Sequence, residues 1–291
     1  MSTDSIHIGV IGGSGLYQMP QLTDIEELDI DTPFGKPSDA IIAGKIGGVR
    51  VAFIPRHGRG HTYMPGEVPY RANIYALKSL GVERVIAVSA CGSLREDYAP
   101  GHIVIPDGLF DHTKDQRGRT FFGEGLVAHI GIADSFCADL SAWVGQSVRA
   151  SGGHIHEGGA YITVEGPRFS TRAESNVYRG WGMSIIGMTT SPEAYLAREA
   201  EMCYAVMAHV TDYDVWHESE EAVTVEMVIK TMGGNLDLAR NALADLIPRI
   251  VSEDRPCACG QALEHAILTA RDRIAPDTVS RLGVIVSKYL K

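Results

Sequence analysis

The sequence predicts an α/β fold built on a layered sheet, and three observations carry the prediction. Short apolar runs at residues 6–11, 51–54, 84–88, 103–105, 161–164, 183–186 and 204–210 have the length and β-branched content of buried strands. Segments with helical apolar spacing, at 69–80, 172–181 and 191–203, alternate with them. Most of the strand runs end in glycine, a hydroxyl or a charged side chain, and in such sheets ligands collect at the carboxyl ends of the strands.

Composition narrows the function. With 291 residues and 45% hydrophobic content the chain can bury a substantial core. Lacking internal repeats and low-complexity linkers, it reads as one domain over 1–291 with a helical tail from about residue 256. A net charge of −10 argues against a nucleic-acid or anionic-membrane binder, since both need a basic face, yet it permits a small anion in a local pocket. No apolar run reaches the roughly 18–20 residues of a membrane helix, and residues 2–5 are polar, so a cytoplasmic location is expected. The five cysteines lack zinc-finger spacing; Cys91, Cys137 and Cys203 read as small buried thiols. Cys257 and Cys259, in a polar segment, read as surface thiols or a redox pair.

In chain order, the first strand run empties into Gly12-Gly13-Ser14-Gly15-Leu16, where glycines admit an anion to backbone N–H groups and Ser14 adds a donor. Gln18 and Pro20 break the dinucleotide pattern, so a tight turn accounts for the motif equally well. Residues 31–44 read as turn-rich. The run at 51–54 leads into Arg56 and His57, a fixed positive charge with directed donors suited to phosphate, or a solvated basic loop. His57 and His61 have the spacing of a helical zinc pair, but Gly58 and Gly60 argue against a helix there. The run from Arg84 ends in Ser89 and Ala90, and 107–125 reads as a polar loop. His154, His156 and Glu157 read as a polar strand edge rather than metal ligands, and no metal is expected. Phe169 follows a strand end, placed to stack on a planar base or to join the core.

Further along, Met188, Thr189 and Thr190 follow another strand end. Ser191-Pro192-Glu193 reads as N-cap, first-turn proline and first-turn acid of a helix. The run at 204–210 ends at Thr211-Asp212-Tyr213-Asp214, and i, i+2 spacing on a strand would set Asp212 and Asp214 on one face. Neighbouring carboxylates raise one pKa and hold a proton. A held proton beside an acceptor oxygen suits a heterocyclic base with one ring nitrogen and one amino group. The acidic run 218–221 reads as a solvated face, and 224–232 and 236–251 as two amphipathic helices.

Together these strand ends suit an anion beside a purine-like ring, with attack at a sugar carbon and protonation of the departing base. Six blocks carry a resemblance: Gly12 to Leu16, Arg56 to His61, Ser89 to Leu94, Glu165 to Ser170, Met188 to Glu193 and Thr211 to Trp216. In order and spacing they resemble the 5′-methylthioadenosine phosphorylases, in the trimeric branch of the purine nucleoside phosphorylase superfamily. The resemblance implies a three-layer nucleoside-phosphorylase-like fold, a central mixed β-sheet flanked by helices. It implies a phosphate site of Ser14, Arg56, His57, Ser89, Ala90 and Thr189, with inorganic phosphate as co-substrate and no cofactor. It sets Met188 against ribose, Phe169 against the base, and the catalytic pair Asp212 and Asp214 on the N7 and N6 edge of adenine. Ser170, Val225, Val228 and Ile229 match specificity positions, the last three forming an apolar pocket for a 5′-methylthio group; His61 and His129, the latter from a neighbouring subunit, would close it. A homotrimer or a dimer of trimers is implied, with a nucleoside and phosphate as the only partners. Gly187 departs from the asparagine usual before Met-Thr, and Ser14 and Ser89 replace threonines. Some thermophilic relatives form disulfides near a C-terminal Cys-x-Cys, a pairing open to Cys257 and Cys259. The alternatives are a phosphorylase of adenosine, inosine or methylthioinosine, a nucleoside hydrolase, and a non-catalytic nucleoside sensor.

Overall fold

A computed structural model describes residues 5–13, 15–115, 117–217 and 224–290, apart from the side chain of Met232. Ser14 and the acidic run 218–221 therefore lie outside the described residues. The strands are β1 (Ile8–Gly12), β2 (Thr23–Leu28), β3 (Ile41–Ile46), β4 (Val49–Pro55), β5 (Arg84–Ser93), β6 (Ile103–Ile105), β7 (Gly108–His112), β8 (Ile155–Glu157), β9 (Ala160–Val164), β10 (Met183–Gly187) and β11 (Cys203–Asp212). The helices are α1 (Tyr70–Ser79), α2 (Ala138–Ala150), α3 (Arg172–Gly180), α4 (Thr190–Glu199), α5 (Val225–Ile250) and α6 (Pro276–Leu282).

All the strands belong to one mixed sheet in the order β2-β3-β4-β1-β5-β10-β9-β7, with β11 on the far edge of β5, then β6 and β8. Both faces of its centre are buried. Along β11, Tyr204, Val206, Ala208 and Val210 enter one core with Ile74 and Leu77 of α1 and Leu196 and Ala197 of α4. The alternating Cys203, Ala205 and Met207 enter a second core with Val144 and Val148 of α2 and Leu243, Leu246 and Ile247 of α5. This period-two split explains why the strand reads as a continuous apolar run: neither face meets water.

The sheet opens where the site will be. β1 runs parallel to β5 only from Ile8↔Arg84 to Ile11↔Ala87. β10 takes the same edge of β5 further on, antiparallel, at Gly92 and Ser93. Between them, residues 88–91 of β5 have a strand partner only on the β11 side. A cleft can therefore reach the backbone of the central strand itself.

Several expectations change. The turn-rich reading of 31–44 hid the start of β3, and 107–125 contains β7, which pairs in parallel with β9. The two helices expected over 224–251 are one helix, α5, running through Gly233 and Gly234. Each glycine costs about 1 kcal/mol relative to alanine, but the packed half beyond it, with Leu243, Leu246 and Ile250 fully buried, outweighs that local preference. The tail from 256 is mostly turns with short helical pieces, and Leu263, Ile285, Val286 and Leu290 bury it in the α1/α4 core. α3 begins as its sequence suggests, with a Thr171–Glu174 capping box. Of the segment 154–157, Ile155–Glu157 is the edge strand β8, which pairs with β6 alone.

Candidate active site

The cleft encloses ≈ 620 Å³, within the size range of small-molecule sites. Arg56, His57, Ser89, Ala90 and Thr189 line it, as do Asp212, Asp214, Phe169, Ser170 and Met188; Arg56 bonds Val88 O of β5 at one end, and Asp212 packs against Gly92, four residues further along β5, at the other. Val228 and Ile229 of α5 and His61 also line it. Val225 does not: it is the first residue of α5, one turn before Val228 and Ile229 on the same helix face, and at 60% exposure it lies outside the lining. His129 is exposed and stays outside the cleft of its own chain.

At the first end, Arg56 leaves β4 and is buried with 3% exposure. It donates through Nε and Nη2 to Glu193 Oε2 and Oε1, both at 2.8 Å, through Nη1 to Val88 O and through Nη2 to Ile11 O. Burial alone would disfavour its charge, but the Glu193 carboxylate overrides that and raises its pKa. A guanidinium has five N–H donors, so among the described residues one Nη1–H remains for the cleft. The fixed positive charge expected here is thus matched by an equal negative one, and the end offers directed donors rather than net charge. Glu193 also accepts from Tyr204 Oη at 2.8 Å, which locks the pair to β11.

His57 differs from expectation as well. Burial, opposed by its bond to Tyr63 and reinforced by Arg56, pulls its pKa down to about 4. Its Nδ1 lies 2.8 Å from the Tyr63 carbonyl, which can only accept, so Nδ1 carries the hydrogen and Nε2 presents a lone pair. His61 stacks on it at 4.3 Å between ring centroids, the chain reaching that position through a left-handed turn at φ 56. Beyond β10, Thr189 caps α4 without spending its hydroxyl on a cap bond. Ser191 has extended geometry (φ −98, ψ 132), so the regular turn starts at Pro192, as the Ser-Pro-Glu pattern suggested.

The base end is built by a strand that stops. β11 bulges between Val210 and Asp212 and ends there, and Asp214 lies beyond it with φ 52. The two carboxylates are therefore not an i, i+2 strand pair. They meet through a turn in which Asp214 N donates to Asp212 Oδ1 at 2.8 Å, a left-handed conformation that aspartate tolerates. Trp216 pins the turn, donating Nε1 to Ser93 O at 2.7 Å beneath the Arg179 guanidinium. Room for the pair comes from Gly92, where a Cβ would stand 2.9 Å from Asp212 Oδ1.

Burial, followed by repulsion from Asp214, raises the Asp212 pKa from 3.8 to about 6 against two hydrogen bonds that oppose it. One of these, Thr211 Oγ1 at 2.6 Å, can also turn its hydrogen to Cys91 O at 3.2 Å. A hydroxyl with those two acceptors can serve both the ionised and the protonated carboxyl. Asp214 is raised too, by burial, and its Oδ2 has no partner among the described residues. One carboxyl is thus poised to hold a proton and the other has an open acceptor, both buried at 6% exposure.

Other residues in and around this cleft take on roles that only the fold shows. Arg117, with a fully buried side chain, bridges Glu165 at 2.8 Å and donates to the Met188 carbonyl, tying the Phe169 segment to the Met188–Thr189 turn. His209 of β11 lines the cleft, is fully buried, and has no partner on either ring nitrogen among the described residues. Gly187 also acquires a reason: a Cβ there would lie 1.9 Å from Tyr161 Oη. The phenol of β9 fills the space an asparagine would need. Similarly, a Cβ on Gly166 (φ 64) would meet Met188 Sδ at 2.5 Å, so glycine admits the methionine to the wall.

Comparison with known proteins agrees with this geometry. Residues 7–252 match the family model described as the phosphorylase superfamily. The S-methyl-5′-thioadenosine phosphorylase of Geobacter sulfurreducens is 53% identical over 97% of this chain and 99% of its own. That of Gloeobacter violaceus is 51% identical over 99% and 98%. Among solved structures, a methylthioadenosine phosphorylase from an Antarctic soil metagenomic library superposes with TM-score 0.93 at 45% identity, covering 97% of this chain and 99% of that one. The Schistosoma mansoni methylthioadenosine phosphorylase in complex with adenine gives 0.82 at 37%, covering 86% and 93%. The chain belongs to the S-methyl-5′-thioadenosine phosphorylases, within the phosphorylase superfamily.

Proposed function

We propose that this cleft cleaves the N-glycosidic bond of 5′-methylthioadenosine with phosphate, releasing adenine and 5-methylthioribose 1-phosphate. The observation that carries the reading is the arrangement of Asp212 and Asp214: a buried carboxyl with pKa raised to about 6 beside an open acceptor oxygen, in one cleft with Arg56 and Thr189.

A phosphate oxygen attacks C1′ while the bond from C1′ to N9 breaks, and the bonding electrons pass into the purine. Asp212 gives its proton to N7 as that charge develops, a contribution typically worth about 10²–10⁴-fold. Asp214 accepts from the 6-amino group, which a 6-oxopurine lacks. Phosphate is held by the remaining Arg56 donor and the Ser89 and Thr189 hydroxyls. The lone pair of His57 Nε2 accepts from a P–OH group, so the site suits hydrogen phosphate. Phe169 lies against the base and Met188 against the ribose. No cofactor enters the reaction.

At the sugar end, Val228 and Ile229 offer an apolar surface to a methylthio group, and Ile229 is 66% exposed in the isolated chain. That exposure supports a neighbouring subunit covering this end, and the reading adopted is a cytoplasmic homotrimer in which that neighbour brings His129. Light scattering reads the assembly directly. The deciding experiment is turnover of methylthioadenosine with and without phosphate, with adenosine and inosine in parallel. Phosphate-dependent release of adenine, fastest from methylthioadenosine, is expected. Undiminished cleavage in phosphate-free buffer would instead make the chain a hydrolase, and inosine as best substrate would overturn the base assignment.

A further inference from the structure

Away from the cleft, four of the five cysteines converge. Cys137 is the N-cap of α2, Cys203 opens β11, and in the C-terminal segment Cys257 caps and Cys259 lies within the short helical turn Ala258–Gln261. Their Sγ atoms all lie within 4.8 Å of one another, with Cys203 and Cys257 at 3.4 Å, and none of the five cysteines is disulfide-bonded. Cys137, Cys203 and Cys259 are buried and Cys257 is half-buried, so the surface-thiol expectation for Cys257 and Cys259 fails. Residues far apart in the chain fold the second pair under the first, which no local polarity could show.

We propose that Cys137, Cys203, Cys257 and Cys259 form a tetrathiolate zinc site that clamps the C-terminal segment to the sheet. Four sulfurs and no other ligand type select zinc among common divalent ions, and zinc–sulfur bonds of about 2.3 Å place the sulfurs at tetrahedral edges of about 3.8 Å. The observed spacing brackets that value. Binding would release four thiol protons and leave a net charge of −2 on the site. Two features receive that charge. Arg255 faces Cys203 and Cys257 while donating to the Glu201 carbonyl at 2.9 Å. The N-terminus of α2, thirteen residues long, starts at Cys137, whose N–H is fixed to the Tyr204 carbonyl at 2.9 Å.

The site lies at the start of β11 and Asp212 at its end, about 30 Å away at the usual rise per strand residue. Its role is structural, and it stands whether or not the substrate assignment does.

The test uses the full chain without a histidine tag, purified under reducing conditions and analysed for metals by mass spectrometry. About one zinc per chain is expected, falling to background in the Cys257→Ser/Cys259→Ser double variant. Cys257→His, which keeps a four-ligand set, should retain it. Cobalt substitution should give thiolate-to-cobalt charge-transfer absorption in the wild type and not in the double variant. Chelation should lower Tm by more than about 5 °C. Iron alone, four titratable thiols without metal, or disulfides among the four would overturn the proposal. So would zinc that persists in the double variant, since it would then sit elsewhere, as at the stacked rings of His102, His154 and His156.

Discussion

The two ends of the cleft solve opposite problems. At the phosphate end the charged group is satisfied before any ligand arrives: Arg56 spends four hydrogen bonds on Glu193, Val88 and Ile11. At the base end the charged groups are left wanting: Asp214 Oδ2 has no partner among the described residues, and burial pushes Asp212 to about 6. Anchoring an anion calls for a donor that does not move, and pairing provides it. Transferring a proton calls for a group near its titration point, which incomplete solvation provides. The same degree of burial gives rigidity where a countercharge is present and reactivity where it is absent.

The largest expected effect separates the ends by chemistry. Asp212→Asn should lose about 10²–10⁴-fold in kcat while still folding, and steady-state assays with circular dichroism would check both. The wild-type rate should show a limb near pH 6, falling as Asp212 loses its proton with rising pH, and the variant should lack it. Stability carries the matching sign. A carboxyl raised from 3.8 to about 6 binds its proton more tightly when folded, so its burial costs nothing below 3.8 and costs most above about 6. Urea melts across that window should show Asp212→Asn gaining up to about 3 kcal/mol on the wild type at neutral pH. A flat difference would mean Asp212 titrates normally.

Glu193→Gln attacks the satisfied end. It leaves the Arg56 charge buried without a countercharge and should destabilise the fold by about 3–5 kcal/mol in urea. A loss below about 1 kcal/mol would show that Arg56 can swing into water, removing the contrast between the ends.

A smaller effect should follow from Gly187→Asn, whose Cβ would meet Tyr161 Oη at 1.9 Å. Overpacking of this kind costs about 1–3 kcal/mol, and adding Tyr161→Ala should recover part of it. Additive thermal shifts would deny the coupling. The smallest effect is expected at the sugar end. Val228→Ser should reduce the preference for methylthioadenosine over adenosine by about tenfold in kcat/KM, whereas Val225→Ser, outside the cleft, should leave it unchanged.

Much of the fold was legible because the central strands are buried on both faces, which leaves continuous apolar runs such as 204–210. β2, with five of its six residues exposed, left no such run and was missed. At the site, side chains were legible by type and order, and of the described ones all but Val225 and His129 line the cleft. Their partners were not. Glu193 joins Arg56 across 137 residues, and Arg117 joins Met188 across 71.

By itself, then, the sequence determined which side chains reach the carboxyl ends of the strands, because strand period and burial are local properties written in the order of residues. Tertiary structure alone decided what each of them is. It made Arg56 a paired donor, His57 a neutral lone pair and Asp212 a carboxyl that titrates at about 6, because charge state depends on desolvation and on neighbours the chain brings from far away. For the same reason only the folded chain shows Cys137 and Cys203 meeting Cys257 and Cys259.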